Sequence, residues 1–293
     1  MSKLRVMLGR HPRFDDAEWF ELQLDPATAK ARYGVDLPGF PDEATQITFT
    51  GSHGRPNLEE AFSFYLHARA VSGIHKLRGP RIMDFGAGWG RIARFFVREA
   101  RPQDIVAVDR MSFAIECLRK TGAAFQIVHN PPAPPIPGFQ QTFHLIYSYS
   151  VFSHLSEPYS RAWLDYLLTL LRPGGHLVLT TLGEDFITDL ATIKAQSDDY
   201  INSQKQPGVA EYLRQLRNFP DTLVMRDRFR AGEFHFFHVE NSMHIDDCTG
   251  ETLIPKSWFE THYDSYFVSF EEDAADFRQS VVVLKKPPET ATA

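Results

Sequence analysis

A glycine-rich turn is the part of the chain whose residue types and spacing point most directly to chemistry. It reads DFGAGWGR over residues 84–91, and Gly86, Gly88 and Gly90 alternate in it with larger residues. Glycine lets the backbone approach a bound ligand and adopt dihedral angles that are closed to other residues. Because the turn follows an apolar stretch and precedes a helical pattern, it predicts a ligand site at the C-terminal edge of a parallel sheet. The alternative interpretation is a tight turn that binds nothing.

The spacing of this turn distinguishes two classes of cofactor. Dinucleotide-binding turns read G-x-G-x-x-G, whereas this turn reads G-x-G-x-G and has Arg91 where the third dinucleotide glycine would lie. Asp84 stands two residues before Gly86, where it would face a pyrophosphate unfavourably but suits a ligand with a cationic amino group. Asp109 ends the next apolar stretch, where a carboxylate can accept hydrogen bonds from ribose hydroxyls. Both classes use such a residue, so Asp109 does not separate them.

Alternating strands and helices must position these residues. The pattern predicts, in order, a strand at 81–85, a helix at 91–100, a strand at 104–109, a helix at 112–122, strands at 125–128 and 143–150, a helix within 156–175 and a strand at 176–182. Strands that lack polar alternation and are separated by helices form a parallel sheet buried on both faces. Five prolines between positions 131 and 137 exclude a crossover helix there.

The flanking segments follow a less regular pattern. Prolines at 12, 26, 38 and 41 break any long helix in residues 1–55, so we expect that segment to be irregular. The next helix should begin with Asn57 as its N-cap and Glu60 three residues later. Beyond residue 183 the pattern predicts helices at 187–196, 209–219 and 254–263, and strands at 234–242, 265–270 and 280–286. The last two strands are expected to close the sheet as a pair.

Composition narrows the class of protein. The formal net charge is −6, which gives no general attraction to nucleic-acid backbones. Only Cys117 and Cys248 are present, which argues against a disulfide scaffold and favours a reducing compartment. The N-terminus lacks the apolar core of a signal peptide, and no run approaches the roughly 18 apolar residues of a membrane span. We therefore expect a soluble, cytoplasmic protein with neither a nucleic-acid nor a membrane partner.

Taken together, the motifs resemble those of the class I S-adenosylmethionine-dependent methyltransferases. DFGAGWGR is similar to the glycine-rich first motif of that family, VAVDR to its second-strand acidic motif, and LLRPGGHLVLTT to the stretch that leads into its fifth strand. LEEAFSFYLHARAV, YSVFSHL and VVVLKKP resemble a bacterial subgroup associated with glycan or small-metabolite modification. The resemblance covers residues 56–183 and, more loosely, 234–286. It implies a Rossmann-like fold: a doubly wound, mostly parallel seven-stranded α/β sheet with a C-terminal antiparallel hairpin.

The resemblance also implies where S-adenosylmethionine would bind. The loop residues around it would be Asp84, Phe85, Gly86, Ala87, Gly88 and Gly90, with Asp84 holding the methionine ammonium. Asp109 would bind the ribose, Arg110 and Met111 would lie beside the adenine, and Asn130 would contact it. Ser148 and Tyr149 would flank the sulfonium. The family usually has an acidic residue near Asn130 and another at the position of His144, so this chain departs from the pattern at both places.

A candidate catalytic residue follows from the chemistry of methyl transfer. Displacement at a sulfonium needs no protonation of the leaving group, so the enzyme mainly aligns the acceptor and excludes water. A hydroxyl acceptor benefits from a general base, and histidine is the usual base near neutral pH. His154 follows the fourth predicted strand, and we predict that His154 and Tyr149 are the catalytic residues. The alternative is that His154 caps or packs under the next helix.

No metal site is predicted from the histidines of the C-terminal third. His235 and His238 in FHFFH are three residues apart, and on a strand they point to opposite faces. His244, His262 and the run at 246–248 have no recognised ligand spacing.

These observations predict an S-adenosylmethionine-dependent methyltransferase that acts on a small-molecule or sugar acceptor. The methyltransferase domain would cover residues 56–293, with an N-terminal extension at 1–55 and a helical insertion or lid at 184–233. O-methylation is preferred over N-methylation of a small molecule or peptide. A non-catalytic S-adenosylmethionine-binding subunit also remains open, and the glycine spacing argues against a nicotinamide-dependent oxidoreductase.

Aromatic residues make up 13% of the chain, and many lie outside the predicted core strands and helices. The aromatic side chains at 234, 236, 237 and 258 are therefore candidates to line the acceptor pocket. Core packing of the C-terminal hairpin is the alternative.

Overall fold

The computed structural model describes residues 14–140, 143–205, 208–239, 249–274 and 277–288. The chain divides into two compact units. Unit 1 holds the described residues up to Ser148, residues 166–178, and those from Lys285 onward. Unit 2 holds the described residues of 149–165 and 179–284.

Unit 1 contains the strands that carry the glycine-rich turn. Its strands are β1 (Ile82–Phe85), β2 (Ile105–Asp109), β3 (Gln126–His129) and β4 (Phe143–Ser148). Its helices are α1 (Asp16–Leu24), α2 (Pro26–Thr28), α3 (Glu43–Thr50), α4 (Gly54–Ser72), α5 (Ala93–Phe96) and α6 (Ser112–Lys120). Helix α7 (Glu157–Leu170) and strand β5 (Leu171–Thr181) contribute residues to both units.

Unit 2 contains most of the remaining elements. Its helices are α8 (Glu184–Ala195), α9 (Asp198–Asn202), α10 (Val209–Arg217), α11 (Thr222–Arg230) and α12 (Lys256–Tyr263). Its strands are β6 (His235–His238), β7 (Gly250–Leu253), β8 (Phe267–Ala274) and β9 (Gln279–Lys285). Residues 240–242 of the predicted strand 234–242 lie outside the described residues. Helices α8, α10 and α11 pack their apolar faces into a small core with β6 and β7.

Seven strands form one sheet in the order β3-β2-β1-β4-β5-β9-β8, and β6 and β7 form a separate antiparallel pair. Strand β1 pairs in parallel with both β2 and β4, and β2 pairs in parallel with β3. Strands β8 and β9 are antiparallel. The predicted Rossmann-like sheet with a C-terminal antiparallel hairpin is therefore confirmed.

The core of unit 1 is rich in aromatic side chains. Tyr147 on β4 is fully buried and stacks on Phe96 at 4.8 Å between ring centroids. Tyr65 on α4 packs against Phe95 and Phe96 of α5. Trp19 of α1 lies over the same short helix and donates a hydrogen bond to the Phe95 carbonyl at 3.1 Å. Much of the aromatic content of the chain therefore serves core packing rather than a pocket.

The N-terminal segment is more ordered than the sequence pattern predicts. Its prolines limit helix length without preventing helices, because each helix begins at a side-chain cap between them. Asp15 caps α1 and Asp42 caps α3 by accepting backbone hydrogen bonds. The expected N-cap at Asn57 is wrong: α4 begins at Gly54, and Asn57 is buried inside the helix, where its side-chain amide donates to the Ser52 carbonyl.

Two predicted element boundaries also differ. The helix expected at 91–100 shortens to the single turn of α5, flanked by turns. The Pro173-Gly174-Gly175 stop lies inside β5 rather than at the helix end. Gly174 adopts φ +77° and donates its N–H to the Lys286 carbonyl, while Gly175 accepts from the Lys286 N–H. The helix thus ends at Leu170, and strand β5 begins at Leu171, before the glycines.

Candidate functional site

The backbone of the glycine-rich turn extends the pairing of β1 with β2. The N–H groups of Gly86 and Ala87 both donate to the Val108 carbonyl, at 2.8 and 3.0 Å. Gly86, Gly88 and Gly90 all have positive φ, at 86°, 54° and 86°, where a side chain is disfavoured. The alternating glycines therefore follow from the left-handed backbone at every second position of the turn.

Asp109 holds this turn in place from the end of β2. Its two carboxylate oxygens accept separate backbone hydrogen bonds, from the Gly88 N–H and from the Met111 N–H, each at 2.8 Å. The side chain is 5% exposed, and burial raises its pKa while the two backbone donors lower it. Each carboxylate oxygen has a second lone pair, so Asp109 can organise the turn and still accept hydrogen bonds from a ligand.

Asp84 is a buried carboxylate at the end of β1. Burial raises its pKa to about 7; the nearby Tyr147 hydroxyl and Arg91 lower it, and Asp109 raises it. Within the described residues, neither Asp84 Oδ2 nor the Tyr147 hydroxyl has a hydrogen-bond partner of acceptable geometry. Buried polar atoms are normally paired, so Asp84 Oδ2 is placed to accept a hydrogen bond from a bound ligand.

Ser148 lies across from the glycine-rich turn at the end of β4. It is fully buried, and its hydroxyl donates to the Phe85 carbonyl at 3.0 Å. This bond ties the end of β4 to the end of β1, because the two parallel strands are neighbours. Ser148, Phe85 and Asp84 are thus brought together at one edge of the sheet, as the sequence predicts.

The residues predicted beside the adenine lie at the ends of β2 and β3. Asn130 is buried, its backbone N–H donates to the Asp109 carbonyl, and its side-chain amide donates to the Pro131 carbonyl. Arg110 and Met111 are half-buried, and the His129 ring bonds the Arg110 carbonyl at 2.7 Å. The strand order therefore gathers these residues beside Asp109.

Helix α3 of the N-terminal segment reaches the same turn. Phe49 lies so close to Gly88 that a Cβ on Gly88 would be 3.4 Å from its ring. Phe49 also stacks on Phe113 of α6, with 5.5 Å between the ring centroids. Neither phenylalanine is predictable from the sequence, because no local pattern around Phe49 or Phe113 marks a contact with the turn.

In unit 2, the residue after the predicted Tyr149 has an unusual backbone. Ser150 adopts φ +57°, a conformation that side chains rarely take. The Ser150 N–H donates to Thr180 Oγ1 at 2.8 Å, and Gln279 Nε2 donates to the Ser150 hydroxyl at 3.1 Å. Tyr149 itself is half-buried against the ring of Phe277. A strained backbone that several hydrogen bonds hold in place is typical of turns at functional sites.

His154 is held from two directions by β7. Its carbonyl accepts the Gly250 N–H at 2.8 Å, and its ring Nδ1 lies 2.8 Å from the Gly250 carbonyl. A carbonyl only accepts, so Nδ1 carries the proton, and in that neutral tautomer Nε2 carries the lone pair. Gly250 has no room for a side chain, since a Cβ would lie 2.2 Å from the Phe237 carbonyl oxygen.

A buried carboxylate that the sequence pattern does not predict accompanies this histidine. Glu251 on β7 is 4% exposed, and its Oε2 lies 3.7 Å from His154 Nδ1. Tyr212 of α10 donates its hydroxyl to Glu251 Oε1 at 3.0 Å. The three residues are 39 or more positions apart in the sequence, so only the fold of unit 2 brings them together.

The aromatic residues predicted to line a pocket divide into two groups. Trp258 is buried against Phe234 and donates to Glu157 Oε1 at 3.0 Å, so it packs in the core of unit 2. Phe236 and Phe237 line an open cleft of about 550 Å³. The other lining residues of that cleft are Glu211, Gln215, Asn218, Phe219, Pro220 and His238.

The histidines and cysteines of the C-terminal third were also compared for metal-ligand geometry within the described residues. No cluster of three or more His, Cys, Asp or Glu side chains there could hold a metal ion. His235 is buried and His238 exposed on β6. His244 and the run at 246–248 lie outside the described residues. Across the same described ranges, no helix is both long enough and apolar enough to cross a bilayer.

Comparison with known proteins assigns the family. The family model described as "Methyltransferase domain" matches residues 58–243, which is more than half of the chain. The chain therefore belongs to the methyltransferase-domain family. This confirms the predicted relation to class I S-adenosylmethionine-dependent methyltransferases and the predicted cofactor.

Individual relatives are distant. The chain is 28% identical over 184 residues to a mitochondrial ubiquinone biosynthesis O-methyltransferase of Schizosaccharomyces pombe, and the match covers 60% of each protein. An O-methyltransferase family protein from Burkholderia thailandensis matches at 14% identity and TM-score 0.45, over 78% of this chain and 58% of that one. A 1,6-didemethyltoxoflavin-N1-methyltransferase of the same organism, solved with S-adenosylhomocysteine, matches at 15% identity and TM-score 0.45, over 93% and 87%.

The residues of unit 1 fit this cofactor. Asp84 Oδ2 makes no hydrogen bond of acceptable geometry within the described residues, and its carboxylate suits the cofactor's ammonium. The carboxylate of Asp109 retains lone pairs for ribose hydroxyls. Both carboxylates lie at the C-terminal ends of adjacent parallel strands, where open α/β sheets bind ligands.

Proposed function

We propose that this protein transfers a methyl group from S-adenosylmethionine to a hydroxyl group of a small-molecule or sugar acceptor. The observation that supports the proposal most strongly is the hydrogen bond between His154 Nδ1 and the Gly250 carbonyl. This bond fixes the ring in the tautomer that has its lone pair on Nε2. The distant relative named as an O-methyltransferase agrees with a hydroxyl acceptor.

Different residues would carry out the separate tasks of the reaction. When bound, S-adenosylmethionine supplies a methyl group on a positively charged sulfur. Asp84 and Asp109 would orient the two ends of the cofactor, and the glycine-rich turn would let it approach the backbone. His154 Nε2 would take the proton from the acceptor hydroxyl as its oxygen attacks the methyl group. Tyr149, on the strained turn, would line the approach to the reacting atoms.

The open cleft of unit 2 supports an acceptor with several hydroxyl groups. Phe236 and Phe237 are apolar lining residues, while Glu211, Gln215 and His238 offer a carboxylate, an amide and an imidazole. Binding sites for small polar molecules combine apolar walls with a few polar groups in this way. The net charge of −6 also favours such an acceptor over nucleic acid.

We further propose a division of the chain into a methyltransferase domain at 56–293, an N-terminal extension at 1–55 and a helical insertion or lid at 184–233. Phe49 against Gly88 supports a role for the extension at the cofactor turn. Helices α8 to α11 within 184–233 pack on each other and on β6, which supports a separate helical layer in unit 2.

The test is methyl transfer from isotopically labelled S-adenosylmethionine to a panel of sugars, phenols and amines, with the products identified by mass spectrometry and NMR. We expect a labelled methyl ether. The Asp84→Asn variant should lose most of its affinity for the cofactor, whereas His154→Ala should bind the cofactor normally and react about 100-fold or more slowly, as expected for loss of a general base. His262→Ala, which removes an exposed ring that contacts Trp258, is the matched control.

Several results would contradict the proposal. Labelling of nitrogen alone would replace O-methylation with N-methylation. Unchanged turnover of a hydroxyl acceptor by His154→Ala would remove His154 from catalysis. Absence of cofactor binding by the unmodified protein would refute the enzymatic function itself.

A further inference from the structure

Glu251 is expensive to bury, and the family resemblance does not explain it. The side chain is 4% exposed, so its charge is almost fully removed from water. Burial raises the pKa of Glu251, while His154 and the hydrogen bond from Tyr212 lower it. These two partners come from the turn after β4 and from α10, and they are the groups that oppose the cost of burial.

The contacts of His154 Nδ1 separate two tasks. The Gly250 carbonyl, at 2.8 Å, takes the hydrogen bond and so fixes the ring's orientation and tautomer. Glu251 Oε2, at 3.7 Å from the same atom, is beyond a good hydrogen bond but close enough for strong charge attraction. Glu251 therefore interacts chiefly with a positive charge on the ring, and that charge exists only after His154 has taken a proton.

Tyr212 holds the Glu251 carboxylate by a hydrogen bond to its other oxygen. Its hydroxyl donates to Oε1, the oxygen that does not face His154. A donor at this position favours the ionised carboxylate and restricts its rotation. Because Tyr212 lies on α10, the charge that faces His154 depends on a helix within residues 184–233.

We propose that Glu251 and Tyr212 are positioning residues that hold a positive charge on His154 while it accepts the proton of the acceptor. This rests on the proposed function of His154 as general base. In the step, the acceptor O–H bond breaks and its proton bonds to His154 Nε2, the oxygen forms a bond to the methyl carbon, and the C–S electron pair remains on sulfur. Glu251 stays ionised and Tyr212 keeps its proton throughout.

The experiment needs no acceptor, so it is independent of the test of the proposed function. Protein labelled with ¹⁵N-histidine is observed by NMR, and the ring signals of His154 are assigned with a His154→Asn variant. In the unmodified protein we expect the Nδ1–H tautomer at pH 8.5. At pH 6.5 we expect Glu251→Gln to reduce the ratio of doubly protonated to neutral His154 rings about fivefold, a loss typical of one partly screened charge.

Tyr212→Phe should change this ratio in the same direction and by less, because it removes one hydrogen bond to the Glu251 carboxylate but leaves the carboxylate in place. Tyr263→Phe is the matched control, since Tyr263 donates to the Asp165 carboxylate at the same distance of 3.0 Å; it should leave the His154 signals unchanged. Glu251→Gln replaces a single oxygen atom with an amide nitrogen, so we expect it to fold. If Glu251→Gln fails to fold, Tyr212→Phe tests the same inference.

Two outcomes would overturn the inference. The first is a set of His154 signals that neither Glu251→Gln nor Tyr212→Phe changes at pH 6.5. The second is an equal change in Tyr263→Phe, which would show a general loosening of unit 2. The NMR result and the acceptor panel can disagree. If the NMR result is as expected and the panel yields no methyl ether, the interaction of Glu251 with protonated His154 is confirmed and the proposed O-methylation is refuted.

Discussion

The proposed role of Asp84 in binding the cofactor's ammonium predicts how cofactor affinity responds to pH. Burial raises its pKa to about 7, and only the ionised carboxylate attracts the ammonium of the cofactor. We therefore predict that affinity for S-adenosylmethionine falls about eightfold between pH 7.5 and pH 6, as the ionised fraction of Asp84 falls. Isothermal titration calorimetry at the two pH values measures this directly.

The pH experiment needs a control, because a second buried carboxylate, Glu99, could titrate in the same pH range. Burial also raises the pKa of Glu99 to about 7, although it pairs with Arg69 at 2.8 Å. In Asp84→Asn the remaining affinity should not vary with pH across this range, whereas Glu99→Gln should keep the dependence. If the pH dependence follows Glu99 instead, Asp84 is not the group that binds the ammonium.

Individual site residues differ in how far the sequence could predict them. Asp84 and Asp109 follow from position alone, because each ends an apolar strand whose neighbours are fixed by the alternation of strands and helices. The contact of Asp109 with Gly88 and Met111 was not predictable in detail, since it depends on the exact path of the turn. Glu251 and Tyr212 carry no local signal at all, because their roles arise only when β7, α10 and the turn after β4 meet.

Among the elements, the N-terminal helices depend on one buried side chain of α5. Arg94 is fully buried and donates to the carbonyl oxygens of Gln23 and Pro38, each at 3.0 Å, while its guanidinium lies 4.0 Å from the Phe40 ring centre. Burial lowers its pKa to about 9, so it remains charged at neutral pH. We predict that Arg94→Met lowers the free energy of unfolding by about 3 kcal/mol, because it leaves buried carbonyls unpaired.

Urea unfolding checks this magnitude, and limited proteolysis shows where the chain opens. Cleavage within residues 14–50 should accelerate before cleavage elsewhere. Lys30→Met removes an exposed ion pair with Asp36 in the same segment and should change stability by less than about 1 kcal/mol. Equal losses in the two variants would show that Arg94 has no special part in holding the segment.

Residues 1–55 form more helices than their prolines predict. Proline positions limit the length of helices, but short helices fit between them when Asp15 and Asp42 supply caps. The strands were predicted well because their apolar runs are continuous and bounded by glycine or proline. Helix α5 was overestimated because an apolar run beside the glycine-rich turn is buried whether or not it is helical.

The candidate residues divide between the two units. The predicted cofactor residues up to Ser148 belong to unit 1, whereas Tyr149, His154 and Glu251 belong to unit 2. The sequence order reflects this division, since the boundary follows directly after β4. Substitutions in the two units should therefore have separable effects on cofactor binding and on reaction.

Thermal unfolding with the reaction product tests this separation. S-adenosylhomocysteine at 100 times its dissociation constant should stabilise the folded protein by about 2.7 kcal/mol, which raises Tm by about 5 °C for a chain of this size. His154→Ala and Glu251→Gln should keep the shift, and Asp84→Asn should lose most of it. NAD should produce none, because the turn lacks the dinucleotide spacing. An equal shift with NAD, or loss of the shift in His154→Ala, would contradict the assignment of binding to unit 1 and of proton transfer to unit 2.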